Sequence, residues 1–540
     1  MKSNIRKRIF FLLIVFPFLQ QMAFAQKVKG KETQTPKIIV GMMVDQMRWD
    51  YLYKYKARYG IGGINRLIRE GFSCENTMIK HAPTVTACGH ASVYTGSVPA
   101  INGIAGNDWY DREWKRFISN VEDSTSKAVG SKSTYSKSPN NLLVTTIGDE
   151  LRLATQFQSK VVSVSIKDRG AILPGGHTAN GAFWNNGNKF VTSSYYMEQL
   201  PDWAIKFNET DWQKKLMPNG WNTLYPINTY KLSNEDDKEY ENSFKDEEKP
   251  VFPHTKAGLT GTPFGNTFTL EFAKRAIEGY KLGQGVYTDM LAVSLSSPDG
   301  IGHQFGTTSV EVEDNYLRLD KDLEDFFIYL DKKFGKDGYI YFITADHGGN
   351  QSPGFLQENK LPTGALSDKL VKDLNAVLEK KFERPKLVIA FANGQLYLNY
   401  EEMEKGNLKR DDLVSFIAKE LKKERGVLYV FDNEKLSGAT IPEPAKSMFI
   451  NGYNAKRSGD ILVVKSAGWK IGSMKGTSHS DWNPYDSHIP LVWMGKGIKP
   501  GKTNRTIGMT DIAPTVAAML QIQMPSGCIG EVITEITDNK

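Results

Sequence analysis

Residues Lys37 to Asp45 read KIIVGMMVD, an unbroken apolar run closed by a carboxylate. With no polar residue at alternate positions, both faces of such a strand must be covered, which is the setting of a parallel sheet packed between helices. The same signature returns at Val161 to Ile166, Met290 to Ser296, Tyr339 to Thr344 and Ile489 to Met494. Helical patterns lie between these runs. The clearest covers Val312 to Leu330, with apolar residues at 312, 316, 319, 323, 326 or 327 and 330 forming one buried stripe. Another follows Ser138 in SPNNLLVTTIGDELRLA. Repeated alternation of strand and helix predicts an α/β fold with a doubly wound, mostly parallel central sheet flanked by helices.

Two regions break that rhythm and are expected to be inserted α+β caps. From Gly170 to about Thr262 the chain is rich in Gly, Asn and aromatics, with a hairpin-like GAFWNNGNKFVTS and a charged stretch from Asn234 to Lys249. From Gly364 to about Lys475 come a helix (ALSDKLVKDLNAVLEKK), a hairpin turning at Asn393-Gly394, a second helix (RDDLVSFIAKELKK) and a strand (GDILVVK). The chain closes with TDIAPTVAAML, Thr510 to Leu520, a capped helix with Pro in its first turn.

The first 25 residues read as a cleavable export signal: a basic KSNIRKR, an apolar run from Ile9 to Leu19 and the small-residue ending Ala23-Phe24-Ala25. The rest of the chain, 26–540, is expected to be periplasmic or secreted, without a stable membrane anchor, since no other apolar stretch is long enough to span a bilayer. Removing Lys2, Arg6, Lys7 and Arg8 with the signal takes the formal charge from +7 to +3. That balance argues against nucleic acid as a partner. Three cysteines, at 74, 88 and 528, are too few for a disulfide-framed fold, though a Cys74–Cys88 bridge stays open. Oligomeric state is left open too, with a monomer favoured.

Open α/β sheets bind ligands at the carboxyl ends of their strands, so the residue after each apolar run is where chemistry is expected. Asp45 ends the first strand; SLSSPDGIGHQFG puts Asp299 and His303 after another; FITADHGGN puts Asp346 and His347 after a third. His479, in KGTSHSDWNPYD, precedes IPLVWM. Three Asp and three His of this kind suit one or two Zn²⁺ ions, each with a position open to substrate. A nucleophile is expected in HAPTVTACGHASVYTGSVPAINGIAGN, His81 to Asn107, at Thr86, a residue that by itself reads equally as the cap of the helix that follows. A phosphate at that helix end meets free N–H groups, and a metal ion would lower the hydroxyl pKa. His90, one turn later, reads as a structural histidine or as a partner behind a ligand. Lys167 and Arg169, two apart after VVSVSI, would point the same way in an extended segment and grip one phosphate; Asn107 would add an amide donor.

The ordered set Asp45, PTVT ending at Thr86, GIAGN ending at Asn107, Lys167-Asp-Arg169, PDGIGH ending at His303, ADHGG and GTSH ending at His479 resembles the alkaline phosphatase superfamily. With a Thr nucleophile and the KDR triplet it looks like the phosphate-irrepressible, PafA-type branch of exported bacterial enzymes. The resemblance implies two Zn²⁺ per chain, one held by Asp299, His303 and His479, the other by Asp45, Asp346, His347 and Thr86. It selects Thr86 over Thr84, and it implies that Asn107, Lys167 and Arg169 contact the phosphoryl oxygens. Ser-nucleophile relatives use an Arg just behind the nucleophile and a magnesium site, and neither is found here. The expected activity is hydrolysis of small phosphate monoesters through a threonyl-phosphate. The rivals are a phosphodiesterase or nucleotide pyrophosphatase on the same scaffold, for which the two cations would lose much of their purpose, and a non-catalytic metal- or phosphate-binding protein.

Overall fold

In a computed structural model of the chain, residues 35–132 and 137–538 are described; the export signal read at 1–25 lies outside them. Five strands, labelled in chain order, form the centre of an eleven-stranded sheet: β1 (Ile38–Val44), β2 (Val161–Ser165), β3 (Gly181–Asn185), β4 (Asp289–Leu295) and β5 (Tyr339–Thr344). Their spatial order is β5-β1-β4-β2-β3, every pair parallel. All residues of β1, β2, β4 and β5 are buried, as their uninterrupted apolar character requires.

The sheet as a whole is mixed, because its two flanks turn antiparallel. Leu491–Gly495 pairs antiparallel with β5, and Phe72–Met78 follows it antiparallel. Burial on both faces makes the Ile489 to Met494 run read like its parallel neighbours, since apolar periodicity carries no strand direction. On the other flank the hairpin of GAFWNNGNKFVTS is present but belongs to the main sheet: Gly181–Asn185 pairs parallel with β2, and Phe190–Ser193 returns antiparallel. Its buried Phe183 and Phe190 pack into the main core, stacked on or tilted against Phe272.

Helices cover both faces. Thr86–Thr95 (α1), Asp168–Gly175 (α2), Ile147–Ala154 and Ile512–Leu520 form one layer. On the other face lie Phe264–Tyr280 and the 25-residue helix Val310–Phe334 (α4), preceded by Ser297–Phe305 (α3). The α4 stripe Val312, Tyr316, Leu319, Leu323, Phe326, Phe327 and Leu330 is buried, as the spacing predicts. Ile147–Ala154 is shorter than the pattern after Ser138 suggests; it starts where Thr146 and Asp149 close a capping box.

Within 364–475, Val388–Ala392, Gln395–Leu398, Ile461–Lys465 and Val427–Asp432 form a separate four-stranded sheet with its own apolar core against Leu370–Phe382 and Arg410–Leu421. Asn393 and Gly394 turn the hairpin with φ of 53° and 77°, the left-handed pair that an Asn-Gly turn supplies. Cys74, Cys88 and Cys528 are all free thiols, so the Cys74–Cys88 bridge is not formed; Cys88 Sγ donates to the Ile104 carbonyl instead. Among the described residues no helix is long and apolar enough to cross a membrane.

Candidate active site

Register decides what meets at the sheet edge. Val44 sits beside Leu295, Met43 beside Thr344, and Ser165 beside Ser294, so β1, β2, β4 and β5 end flush. The residues that follow them, Asp45, Lys167, Asp299 and Asp346, are therefore delivered to one place although 301 positions separate Asp45 from Asp346. Helix α1 leans in from the side. At Gly89 a Cβ would lie 2.3 Å from the Asp346 carbonyl oxygen, so glycine permits the approach that brings Thr86 to the carboxylates.

Thr86 does not cap α1. Val85 is the N-cap, Thr86 is the first helical residue, and its hydroxyl makes no capping bond. It faces Lys167, whose Nζ stands 3.3 Å from Thr86 Oγ1. Thr84, the neighbouring alternative, has its hydroxyl engaged by the Asp481 carbonyl at 2.7 Å and by the Ser480 N–H at 3.2 Å. Asn107 Oδ1 accepts from Ala87 N at 3.0 Å, which occupies one free donor of the first turn of α1 and leaves the amide NH2 for another partner.

Lys167 Nζ also donates to Asp45 Oδ2 at 2.7 Å and Asp299 Oδ2 at 2.6 Å. Burial lowers the lysine pKa, but Asp299 and Asp45 outweigh it and the ammonium is held charged. The expected extended KxR segment is absent: Lys167 is the N-cap of α2, while Arg169 lies in its first turn. The Arg169 guanidinium lies 3.7 Å from Asp168 and near Asp108, whose carboxyl pKa is raised by burial, an effect that Arg169 only partly offsets. Beside it opens a cleft of about 380 Å³ lined by Lys137, Lys167, Arg169, Trp184 and Asn185.

Each ligand-type imidazole is fixed through Nδ1: His303 to the Thr477 carbonyl at 3.0 Å, His479 to that of Thr84 at 2.7 Å, and His347 to that of Gly348 at 2.9 Å. That tautomer turns Nε2 inward as a free lone pair. Asp299, His303 and His479 form one cluster with metal-ligand spacing, and Asp45, Asp299 and His347 a second. Asp346 adjoins the second, its Oδ2 3.5 Å from His347 Nε2. Asp45 Oδ1, Asp346 Oδ2 and His347 Nε2 are buried without a hydrogen-bond partner, a condition that bound cations would relieve.

Electrostatics separate the groups. Burial, then Asp346, raises the Asp45 carboxyl well above its usual range. For Asp299 and Asp346 burial also raises the pKa, but the neighbouring His303 and Lys167, and His347 and His90, respectively, win and hold both low. His347 and His479 are pushed down, by burial first.

Residues 39–494 match the family described as type I phosphodiesterase / nucleotide pyrophosphatase. The chain belongs to that family. Within this phosphodiesterase/pyrophosphatase family, part of the alkaline phosphatase superfamily, it is 53% identical over 512 residues to alkaline phosphatase PhoV of Synechococcus elongatus, covering 93% of each chain. It is 50% identical over 529 residues to alkaline phosphatase PafA of Elizabethkingia meningoseptica, covering 95% of this chain and 96% of the relative. A crystal structure of wild-type alkaline phosphatase PafA superposes with a TM-score of 0.91 at 49% identity, over 93% of this chain and 99% of that one. The expected fold and the expected class, a metal-dependent hydrolase of phosphate esters, therefore stand.

Two polar residues in this family member's site carry little signal in the sequence. His90 Nδ1 lies 2.8 Å from the Thr86 carbonyl and 3.4 Å from Asp346 Oδ2, with Nε2 on Ser294 Oγ at 2.8 Å, so it joins the helix of Thr86 to the central sheet beside that carboxylate. Gln46 donates from its side chain to Asp299 and from its backbone to Asp346. Only the residue-after-strand rule, extended by one position, would have pointed to it.

Proposed function

We propose that this chain is an exported, two-zinc phosphatase that hydrolyses small phosphate monoesters through a threonyl-phosphate. The observation that carries this reading is the Lys167 ammonium beside Thr86, 3.3 Å from its hydroxyl and backed by Asp45 and Asp299. A monoester brings two negative charges and three unsubstituted oxygens, and a partly buried point cation next to the nucleophile matches that excess charge.

Asp299, His303 and His479 would hold one ion and Asp45, Asp346 and His347, with Thr86, the other; mixed carboxylate and imidazole donors suit Zn²⁺. Such ions supply Lewis-acid charge that lowers the Thr86 pKa and neutralises the departing alkoxide, so no general-acid side chain is required. Thr86 Oγ1 attacks phosphorus from the first turn of α1, whose free N–H groups and dipole favour the anion. Lys167, the Asn107 amide and Arg169 bind the non-bridging oxygens as charge builds on them. Water attacking the opposite face of the threonyl-phosphate then releases inorganic phosphate and restores Thr86. The basic, apolar and small-residue order of the first 25 residues supports export.

The family description itself favours a second reading, a phosphodiesterase. A diester has one charge fewer and one substituted oxygen, so it gains less from Lys167. Rates for a monoester and a diester of the same phenol decide the matter: the monoester is expected to be preferred, and a diester preference overturns the proposal.

A further inference from the structure

Gln46 follows Asp45 directly and is buried. Its φ of 63° lies in the left-handed region, which a non-glycine residue holds only where the surroundings over-determine it. Two hydrogen bonds do so here, each to a carboxylate delivered by a different strand. The backbone N–H donates to Asp346 Oδ1 at 3.1 Å, and Nε2 donates to Asp299 Oδ1 at 2.7 Å. One residue thus holds a carboxylate from each of the two clusters.

The space for its amide is kept open by glycines on both sides. At Gly302 a Cβ would lie 1.9 Å from Gln46 Oε1, and at Gly349 one would lie 3.1 Å from Gln46 Cδ. Gly302 stands inside α3, where glycine is disfavoured relative to alanine, and immediately precedes His303. Gly349 comes two residues after His347. An amide suits this position chemically. Asp299 already receives Lys167 and His303, and a neutral donor fixes the carboxylate's rotamer without adding a charge. A carboxylate at position 46 would repel Asp299, and a hydrocarbon would leave Oδ1 short of a donor.

We propose that Gln46 is a positioning residue that ties the two cation sites together: by holding Asp299 and Asp346 in fixed relation it sets the zinc affinity of the Asp299–His303–His479 site and the assistance that site gives the leaving group. This inference rests on the two-zinc reading above. The test titrates zinc alone into the full-length apoprotein, parent and Gln46→Met, Gln46→Glu and Gly302→Ala variants, against an indicator of known affinity, with apoprotein melting followed in parallel. The parent is expected to take up two zinc ions. In Gln46→Met one of the two sites weakens about 10- to 100-fold, in Gln46→Glu more, and in Gly302→Ala, which displaces the amide while favouring the helix, to an extent like that in Gln46→Met. In the loaded variants kcat falls further for alkyl than for nitrophenyl monoesters, with KM near the parent's. Gln46→Met binding both ions within twofold of the parent overturns the proposal. If that variant does not fold, Gly302→Ala decides alone, and unchanged zinc binding there overturns it. A parent that takes up no zinc sinks the two-zinc reading itself, whereas normal uptake in both parent and Gln46→Met sinks only the role of Gln46.

Discussion

The Nε2 atoms of His303 and His479 face each other at 3.2 Å, each ring anchored through Nδ1 on a backbone carbonyl. Two inward lone pairs at that separation need a positive charge between them. In the apoprotein a proton supplies it, on His303: burial opposes the charge but Asp299 raises the pKa overall, while burial and the flanking imidazoles push His479 well down.

Zinc entering that cluster must displace the proton. The His303⁺–Asp299⁻ pair stabilises the apoprotein fully below the unfolded histidine pKa of about 6.5, and its contribution is lost as pH rises through the raised folded value. Zinc affinity is accordingly expected to climb with pH over that window, with close to one proton released. Calorimetry in two buffers of different ionisation enthalpy counts it, and proton uptake contradicts the assignment.

Thr86→Ala is expected to keep the zinc of the Asp299–His303–His479 site, to hold the other through its three remaining ligands, and to lose at least about a thousandfold in kcat, because the hydroxyl that bonds to phosphorus is gone. Trapping of phosphate on the protein from a labelled monoester, seen in the parent at low pH, disappears in the variant. Turnover near the parent's removes Thr86 from the mechanism.

Lys167→Ala removes the cation by which the proposed mechanism distinguishes a monoester from a diester. Its kcat/KM for a monoester is expected to fall about 10²- to 10³-fold, with a much smaller fall for the diester of the same phenol. Equal losses on both would mean that Lys167 serves the carboxylates and not the substrate.

Gly89→Ala places a methyl 2.3 Å from the Asp346 carbonyl oxygen, against backbone that cannot rotate away. We expect a loss of about 1–3 kcal/mol in stability and a larger fall in kcat than in thermal stability at assay temperature, since α1 and Thr86 move together. Denaturant unfolding and kinetics on one preparation read both.

Beside the end of α3, which carries His303, and the loop that leads to His479 lies a further buried carboxyl group, that of Glu241. Both oxygens of Glu241 lack partners, and burial followed by repulsion from Glu311 pushes its pKa up to about 9. The folded state therefore holds a proton that the unfolded chain releases near pH 4.5, and stability falls as pH rises through the folded value. Glu241→Gln is expected to raise the melting temperature more at pH 9.5 than at pH 6. A gain independent of pH rules out this carboxyl as the source of alkaline lability.

Much of this site was legible because central strands announce themselves and their next residues are chemically unusual. Asp45, Asp299 and Asp346 follow apolar runs whose flush register the sequence implies but does not print. What the sequence withheld was direction and local geometry. Leu491–Gly495 is apolar for the same reason as β5 yet runs the other way. Lys167 and Arg169 do not share one extended segment because a helix begins between them, and Asp168 reads as well in a turn as in a first helical turn. Gln46 was silent because a lone amide after a strand has no pattern; only its two carboxylate partners, 253 and 300 positions away, give it meaning.

The hairpin turn of the smaller sheet reaches the short strand that follows Asn107: Asn393 Nδ2 donates to the Asp108 carbonyl at 2.7 Å and leaves no room for a side chain at Gly106. Asn107, the amide assigned to the phosphoryl oxygens in the proposed mechanism, lies between those two residues, so the turn bears on its backbone from both sides. A lobe that folds around an apolar core of its own is thus joined, through one side-chain amide, to the backbone on the far side of Asn107.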